Sequence, residues 1–401
     1  MKNSFELEAT NINNIKWNNV VSRTSPLYKR DNDIRSDFER DYTRIIHSNA
    51  YRRLKHKTQV FFSPQNDHIC TRIEHVNHVE SVSYTISNYL GLNLELTKAI
   101  SVAHDLGHSP FGHRGEQILS EISKRDLGTP FWHEKNGLYL VDNIELLEDY
   151  NGDKQNLNLT YAVRDGIISH CGEINENALK PRDEFIDLEK DYQYPNQFAP
   201  YTWEACVVKI SDKISYIGRD IEDAISLQIL DDHLEELYQL LNIESDNKKI
   251  NNTVIMNSLI YDLCSNSSPE NGLCFSEGAL KLMDKIKEFN YKNIYSCDRI
   301  KPSNRYFAVI LNEIYDTLKN AYDGSQTLNS LIQLKKFYPN LIDGFINWLI
   351  QYIDIDNRAG LKNHVLFDMD NPNDFYSAII TYISGMTDKF AIDTYNEIVG
   401  F

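Results

Sequence analysis

Apolar residues recur at helical spacing through most of this 401-residue chain, and that periodicity constrains the fold more than any other feature. Between residues 75 and 90, Val76, Val79, Val82, Tyr84 and Ile86 fall near one stripe, as an amphipathic helix requires. Residues 94–106 continue in the same way and stop at Gly107, a natural C-terminal cap, before Pro110 enforces a break. The spacing predicts further helices over 115–126, 133–150, 160–170 and 203–230, and over much of 304–322 and 376–399. The 17 glycines and 11 prolines are too few and too dispersed for an all-β fold with many turns. The expected class is all-α, with at most a short β-hairpin, for which the apolar run within 55–64 is the candidate. Residues 172–200, rich in charge, Asn and Pro, read as an irregular excursion.

A hydrophobic fraction of 41% supplies enough apolar surface for a sizeable core. The length allows one large unit or two fused ones. The polar stretch 243–253 is the expected boundary, with a catalytic part over 1–242 and a helical C-terminal part over 243–401. The formal charge of −17 disfavours a broad nucleic-acid-binding surface but leaves room for a small polyanion in a local basic pocket or on a metal. The six cysteines are irregularly spaced with no CxxC, which points away from a disulfide framework. The N-terminus lacks the apolar segment of a signal peptide, and no window approaches 18 apolar residues. A reducing cytoplasm is the expected location.

Ten of the twelve histidines lie between His47 and His170, where an even spread would place about four. The dipeptide His104-Asp105 ends an otherwise apolar helix. Burying two polar groups there costs several kcal/mol unless they are paired or bound to metal. Alone, such a dipeptide is more often a helix-terminal His beside a solvated Asp. Two other residues change that balance. His75 opens the preceding helix, and two helices joined by a turn can bring their ends together. Asp212 lies on a later helix whose inward face includes Ile210, Ile214 and Ile217. Two imidazoles and two carboxylates suit a divalent first-row metal with positions left for water and substrate.

The stretch HSPFGHRGE that follows offers His108, His113 and Glu116 on a loop entering a helix. His113 and Glu116 are spaced i, i+3, on one face once the helix has begun. A carboxylate behind an imidazole orients it and raises its basicity, as acid–base work requires. Arg53, Lys55, Lys57, Arg72, Lys209, Lys213 and Arg219 flank these motifs. Together they hint at a polyphosphate site, although any one of them is more simply helix-surface charge.

Five segments in order carry a resemblance. They are ERDYTRIIHSNAYRRLKHKTQVF (39–61), TRIEHVNHVE (71–80), AHDLGHSPFGHRGE (103–116), WHEKNG (132–137) and SDKISYIGRDIEDA (211–224). Together they resemble the deoxyguanosine triphosphate triphosphohydrolase family of the HD superfamily, over roughly residues 22–225. The resemblance implies hydrolysis of a deoxynucleoside triphosphate (dNTP) to the deoxynucleoside and inorganic triphosphate. It implies metal ligands His75, His104, Asp105 and Asp212 for an ion that could be Mn, Mg, Fe or Zn. By the same resemblance His113 is the catalytic histidine, Glu116 its partner carboxylate, and His133 a histidine near the phosphates. Arg72 and Lys213 would grip the triphosphate. Tyr216 would pack on the deoxyribose, with Asp220 and Gln59 at its 3′-hydroxyl. Asp212, Tyr216 and Asp220 at i, i+4 and i+8 share one helix face, which suits that arrangement.

The family also implies a homo-oligomer, tetrameric or hexameric, and in some members an activating dNTP at an allosteric site. Single-stranded DNA binding occurs in some relatives, but the acidic charge does not favour it here. The base is not legible; residues near Arg305, Tyr306 and 355–372 are where its pocket is expected. Other readings are a different HD phosphohydrolase, such as a nucleotidase or phosphodiesterase, and a nucleotide sensor with an idle site.

Overall fold

The computed structural model describes residues 5–27, 32–62, 66–172, 177–241, 252–356 and 358–400. These residues are mainly α-helical, with one antiparallel hairpin, Leu146–Glu148 against Lys154–Asn156. The chain divides into two compact units. The first takes Met1–Tyr42, Ser63–His104 and Thr160–Pro302; the second takes Thr43–Phe62, Asp105–Leu159 and Ser303–Phe401. The boundary expected at 243–253 falls largely outside the described residues. The units interleave along the chain instead of following that cut, because Asn252–Asn266 and Glu277–Asn290 pack on the long helix Trp203–Ser226 and so belong to the first unit.

In the first unit the helix Arg72–Leu90 begins with a capping box, in which the Thr71 amide donates to Glu74 Oε2 at 2.7 Å, and ends at left-handed Gly91. Asn93 then caps Leu94–Ala103 by accepting from the Leu96 amide. Ser83 and Ser101 bond across the two helices at 2.7 Å. Val76, Val79, Val82 and Ile86 are buried, but Tyr84 is 43% exposed. Two residues past Val82 is a rotation of about 200°, so Tyr84 faces away from the predicted stripe. Trp203–Ser226, capped by Thr202, buries Ile210, Ile214, Ile217 and Ile221 as one face. The excursion over 177–200 contains neither helix nor named strand. It is tied down by Arg182, which donates to buried Asp165 at 2.5 Å.

In the second unit Gly112–Leu127, Lys301–Lys319, Pro339–Leu349 and Pro372–Ser384 enclose a core that includes Leu119, Ile314, Phe345, Phe375 and Ile379. The helix predicted over 133–150 is only His133–Tyr139, followed by a wide turn over Leu140–Ile144 and then the first hairpin strand. Glu145, where the backbone becomes extended, is buried against Arg53 at 2.6 Å. The described hairpin therefore lies here; the described residues of the 55–64 stretch contain the 3₁₀ turn Leu54–His56 and no named strand. The helix predicted over 376–399 is two, Pro372–Ser384 and Asp388–Val399, the second capped by Thr387.

Gly107 is not a left-handed cap. The preceding helix already ends at Ala103, and Gly107 is not among the residues with positive φ. A Cβ at Gly107 would lie 1.9 Å from the His133 carbonyl oxygen and 2.3 Å from the Gly137 nitrogen. Glycine is required here because two backbones meet.

Candidate functional site

The first unit gathers three of the predicted ligands from three helices. His75 sits one turn inside its capped helix, His104 caps the next helix, and Asp212 projects from the middle of Trp203–Ser226. His75 Nε2 lies 2.9 Å from Asp212 Oδ1, and His104 Nε2 lies 4.0 Å from the same oxygen. One ligand atom from each falls within 4.8 Å of the others. Both histidines are buried and the Asp212 side chain is 18% exposed. His104 Nδ1 is 2.7 Å from the Ser101 carbonyl, which can only accept. Nδ1 therefore carries a hydrogen, and Nε2 is the ring atom turned toward Asp212. Two imidazoles and a carboxylate, one imidazole oriented from behind by a carbonyl, fit a divalent first-row cation.

His170 was not singled out in the sequence. Its buried ring meets the His104 ring edge-on, with centroids 5.0 Å apart. Lys209, expected among the flanking cations, is buried and donates to the carbonyls of Ser169 and Cys171 and to Asn196 Oδ1. It is a structural anchor on both sides of His170. Arg72 is buried in the first turn of its helix, and Lys213 is half-buried beside Asp212. Arg219 pairs with Glu222 and Asp223.

Tyr216 lines a cleft of about 310 Å³ with Lys287, Glu288, Asn290, Tyr291 and Tyr295. The Tyr295 hydroxyl donates to buried Asp220 at 2.5 Å. Burial, and then the Asp220 charge, hold that phenol well above its usual pKa. Residues 287–295 carry no motif of their own; the resemblance marks Tyr216 and Asp220, and their helical spacing carries no information about which distant helix faces them. Arg305 and Tyr306 are exposed residues of the helix Lys301–Lys319.

The second unit gathers a different set. Asp105 Oδ1 is 3.0 Å from His108 Nε2, and the His108 ring stacks on His133 at 3.7 Å between centroids and 18° between planes. Glu116 Oε1 accepts from the His133 amide at 2.9 Å and lies 3.0 Å from His133 Nδ1. Glu134 Oε2 is 3.4 Å from the same Nδ1. His113 is 73% exposed, and its Nδ1 is 3.8 Å from Glu116 Oε2. That is an ion-pair distance and too long for a hydrogen bond. Glu116 thus holds His133 more closely than it holds His113. Burial works to raise the Glu116 pKa, but the charge of His133, the hydrogen bond from its ring and the nearby imidazole of His113 outweigh it and leave the carboxyl far below its usual value. Gln59 is half-buried in this unit. Lys57, another of the flanking cations, is committed to the carbonyls of His108 and Ser384.

The HD domain family model matches residues 72–217, which carry most of both clusters. A deoxyguanosinetriphosphate triphosphohydrolase-like protein of Rickettsia bellii is 32% identical over 376 residues, covering 91% of this chain and 92% of that one. Proteins of the same description from Rickettsia prowazekii and Caldanaerobacter subterraneus are 33% and 31% identical, each over 91% of this chain. No described helix is long and apolar enough to cross a membrane. With its HD cluster and full-length similarity, the chain belongs to the deoxyguanosinetriphosphate triphosphohydrolase family of HD-domain phosphohydrolases.

Proposed function

We propose that the protein hydrolyses deoxynucleoside triphosphates to the deoxynucleoside and inorganic triphosphate, and so acts on the dNTP pool. The observation that carries this reading is the buried cluster of His75, His104 and Asp212 in a chain similar along its length to triphosphohydrolase-like proteins. These three residues, with Asp105 next in the chain, would hold the divalent metal; its identity is left open. When bound, such an ion neutralises phosphate charge and lowers the pKa of water.

The remaining roles belong to the chain. Arg72 and Lys213 supply positive charge for the phosphates, and the fork of Arg72 suits them by shape. Tyr216 packs on the deoxyribose, Asp220 and Gln59 bind its 3′-hydroxyl, and the cleft beside Tyr216 offers room for the nucleoside end. The water oxygen bonds to the α-phosphorus, and the bond from that phosphorus to the 5′-oxygen breaks. The His113 imidazole, with ionised Glu116 behind it, relays the proton from the water to the leaving oxygen, while His133 sits near the phosphates. Incubation with each of the four dNTPs, alone and in pairs, tests the reading. The expected products are deoxynucleoside and intact triphosphate. Monophosphate plus pyrophosphate, or diphosphate plus phosphate, would point to another HD phosphohydrolase; no turnover of any dNTP would favour a sensor.

A further inference from the structure

We infer that the corner joining the last two helices, Ser384–Asp388, is a positioning device for the loop that carries His108 and leads into the helix turn bearing His113. Asp388 is buried and accepts three hydrogen bonds. Its Oδ1 takes the Phe111 amide at 2.8 Å, and its Oδ2 takes the Thr58 amide at 2.8 Å and the Thr58 hydroxyl at 2.5 Å. The Ser384 carbonyl accepts from Lys57 Nζ at 2.9 Å, and that same ammonium holds the His108 carbonyl. Asn136 Nδ2 donates to the Gly107 carbonyl at 2.7 Å and to Ser384 Oγ at 3.2 Å. The backbone of residues 107–111 is thus gripped at Gly107, His108 and Phe111, and each grip involves the corner.

The loop needs holding. Phe111 is left-handed, with φ 63 and ψ 26, a conformation that bulky residues avoid. It immediately precedes Gly112–Leu127, so its dihedrals aim the first turn of that helix and with it His113. Strained backbone of this kind persists only where its surroundings over-determine it. The chemistry at residue 388 is also specific. Donors approach both carboxylate oxygens, so an amide in its place could satisfy one side only and would turn its NH₂ toward a donor on the other. Asp388 touches no substrate in this account; it acts through the loop.

The effect on rate rests on the proposed function; the effect on the loop does not. Both are read in the full-length protein by amide hydrogen exchange of peptides covering 107–115, by kcat and KM, and by metal content. Asp388→Asn should raise exchange across 107–115 while leaving the helix Pro339–Leu349 as protected as before. It should lower kcat by about 10²-fold, the cost of an ångström-scale misplacement, with KM and metal content unchanged. Thr58→Val deletes one donor to Asp388 and should show a smaller change of the same pattern, and it decides the matter alone if Asp388→Asn does not fold. Unchanged exchange at 107–115, equal loosening of Pro339–Leu349, or faster loop exchange with undiminished kcat would each overturn the inference. If the wild type cleaves no dNTP, the proposed function fails, and the exchange pattern still decides whether the corner holds the loop.

Discussion

The cluster in the first unit and the cluster in the second are built on different supports. His75, His104 and Asp212 sit on or at the ends of helices whose starts are set locally, by Thr71, Asn93 and Thr202. His108 and His113 lie on or just beyond a loop whose shape depends on Lys57, Asn136 and Asp388. Asp388 is 277 residues away from the amide it accepts. A cluster placed by helix geometry follows from spacing, whereas a cluster placed by remote hydrogen bonds does not.

The comparison predicts separable losses. Asp212→Ala should reduce turnover to background and abolish stoichiometric metal binding, because it removes the carboxylate facing both histidines. Retained metal with retained rate would remove the triad from the mechanism. His113→Ala should keep the metal and still lose about 10²–10⁴ in rate, as expected for an acid–base group. A variant that loses metal as well would erase the distinction between the two clusters.

A smaller effect concerns stability and involves the first unit only. Burial raises the Asp223 carboxyl to about 6, against the opposing pull of the Cys70 amide and Arg219. The folded state therefore binds this proton more tightly than the unfolded chain does. The stability it contributes is fully present below the ordinary carboxylate pKa near 3.8 and is lost as pH rises through about 6. Denaturant midpoints should fall between pH 5 and pH 7.5, and Asp223→Asn should flatten that slope. An unchanged slope in the variant would contradict the assignment.

The helical class was legible in the sequence because Val76, Val79, Val82 and Ile86 repeat as a buried helix face must. The grouping of His75, His104 and Asp212 was legible for the same reason. Periodicity said nothing about depth or partners. Lys57 and Lys209 belong to a set of cations that together hint at a polyphosphate site and singly read as helix-surface charge, yet both are buried and bound to carbonyls, which is neither. Gly107 looked like a helix cap, yet its constraint comes from the His133 and Gly137 backbone. The helical pattern continued past Tyr139, where the chain turns instead into the hairpin. His170, Tyr295 and Asp388 left no local signature, since their significance lies in contacts made across long stretches of sequence.

In the proposed reaction, water attacks the α-phosphorus and the deoxynucleoside leaves with its own 5′-oxygen. Single-turnover hydrolysis of a dNTP in ¹⁸O-labelled water, read by mass spectrometry, tests it most directly. Attack at the α-phosphorus places one labelled oxygen in the released triphosphate and none in the deoxynucleoside. Label in the deoxynucleoside, or label recovered in orthophosphate or pyrophosphate with no triphosphate formed, would contradict it.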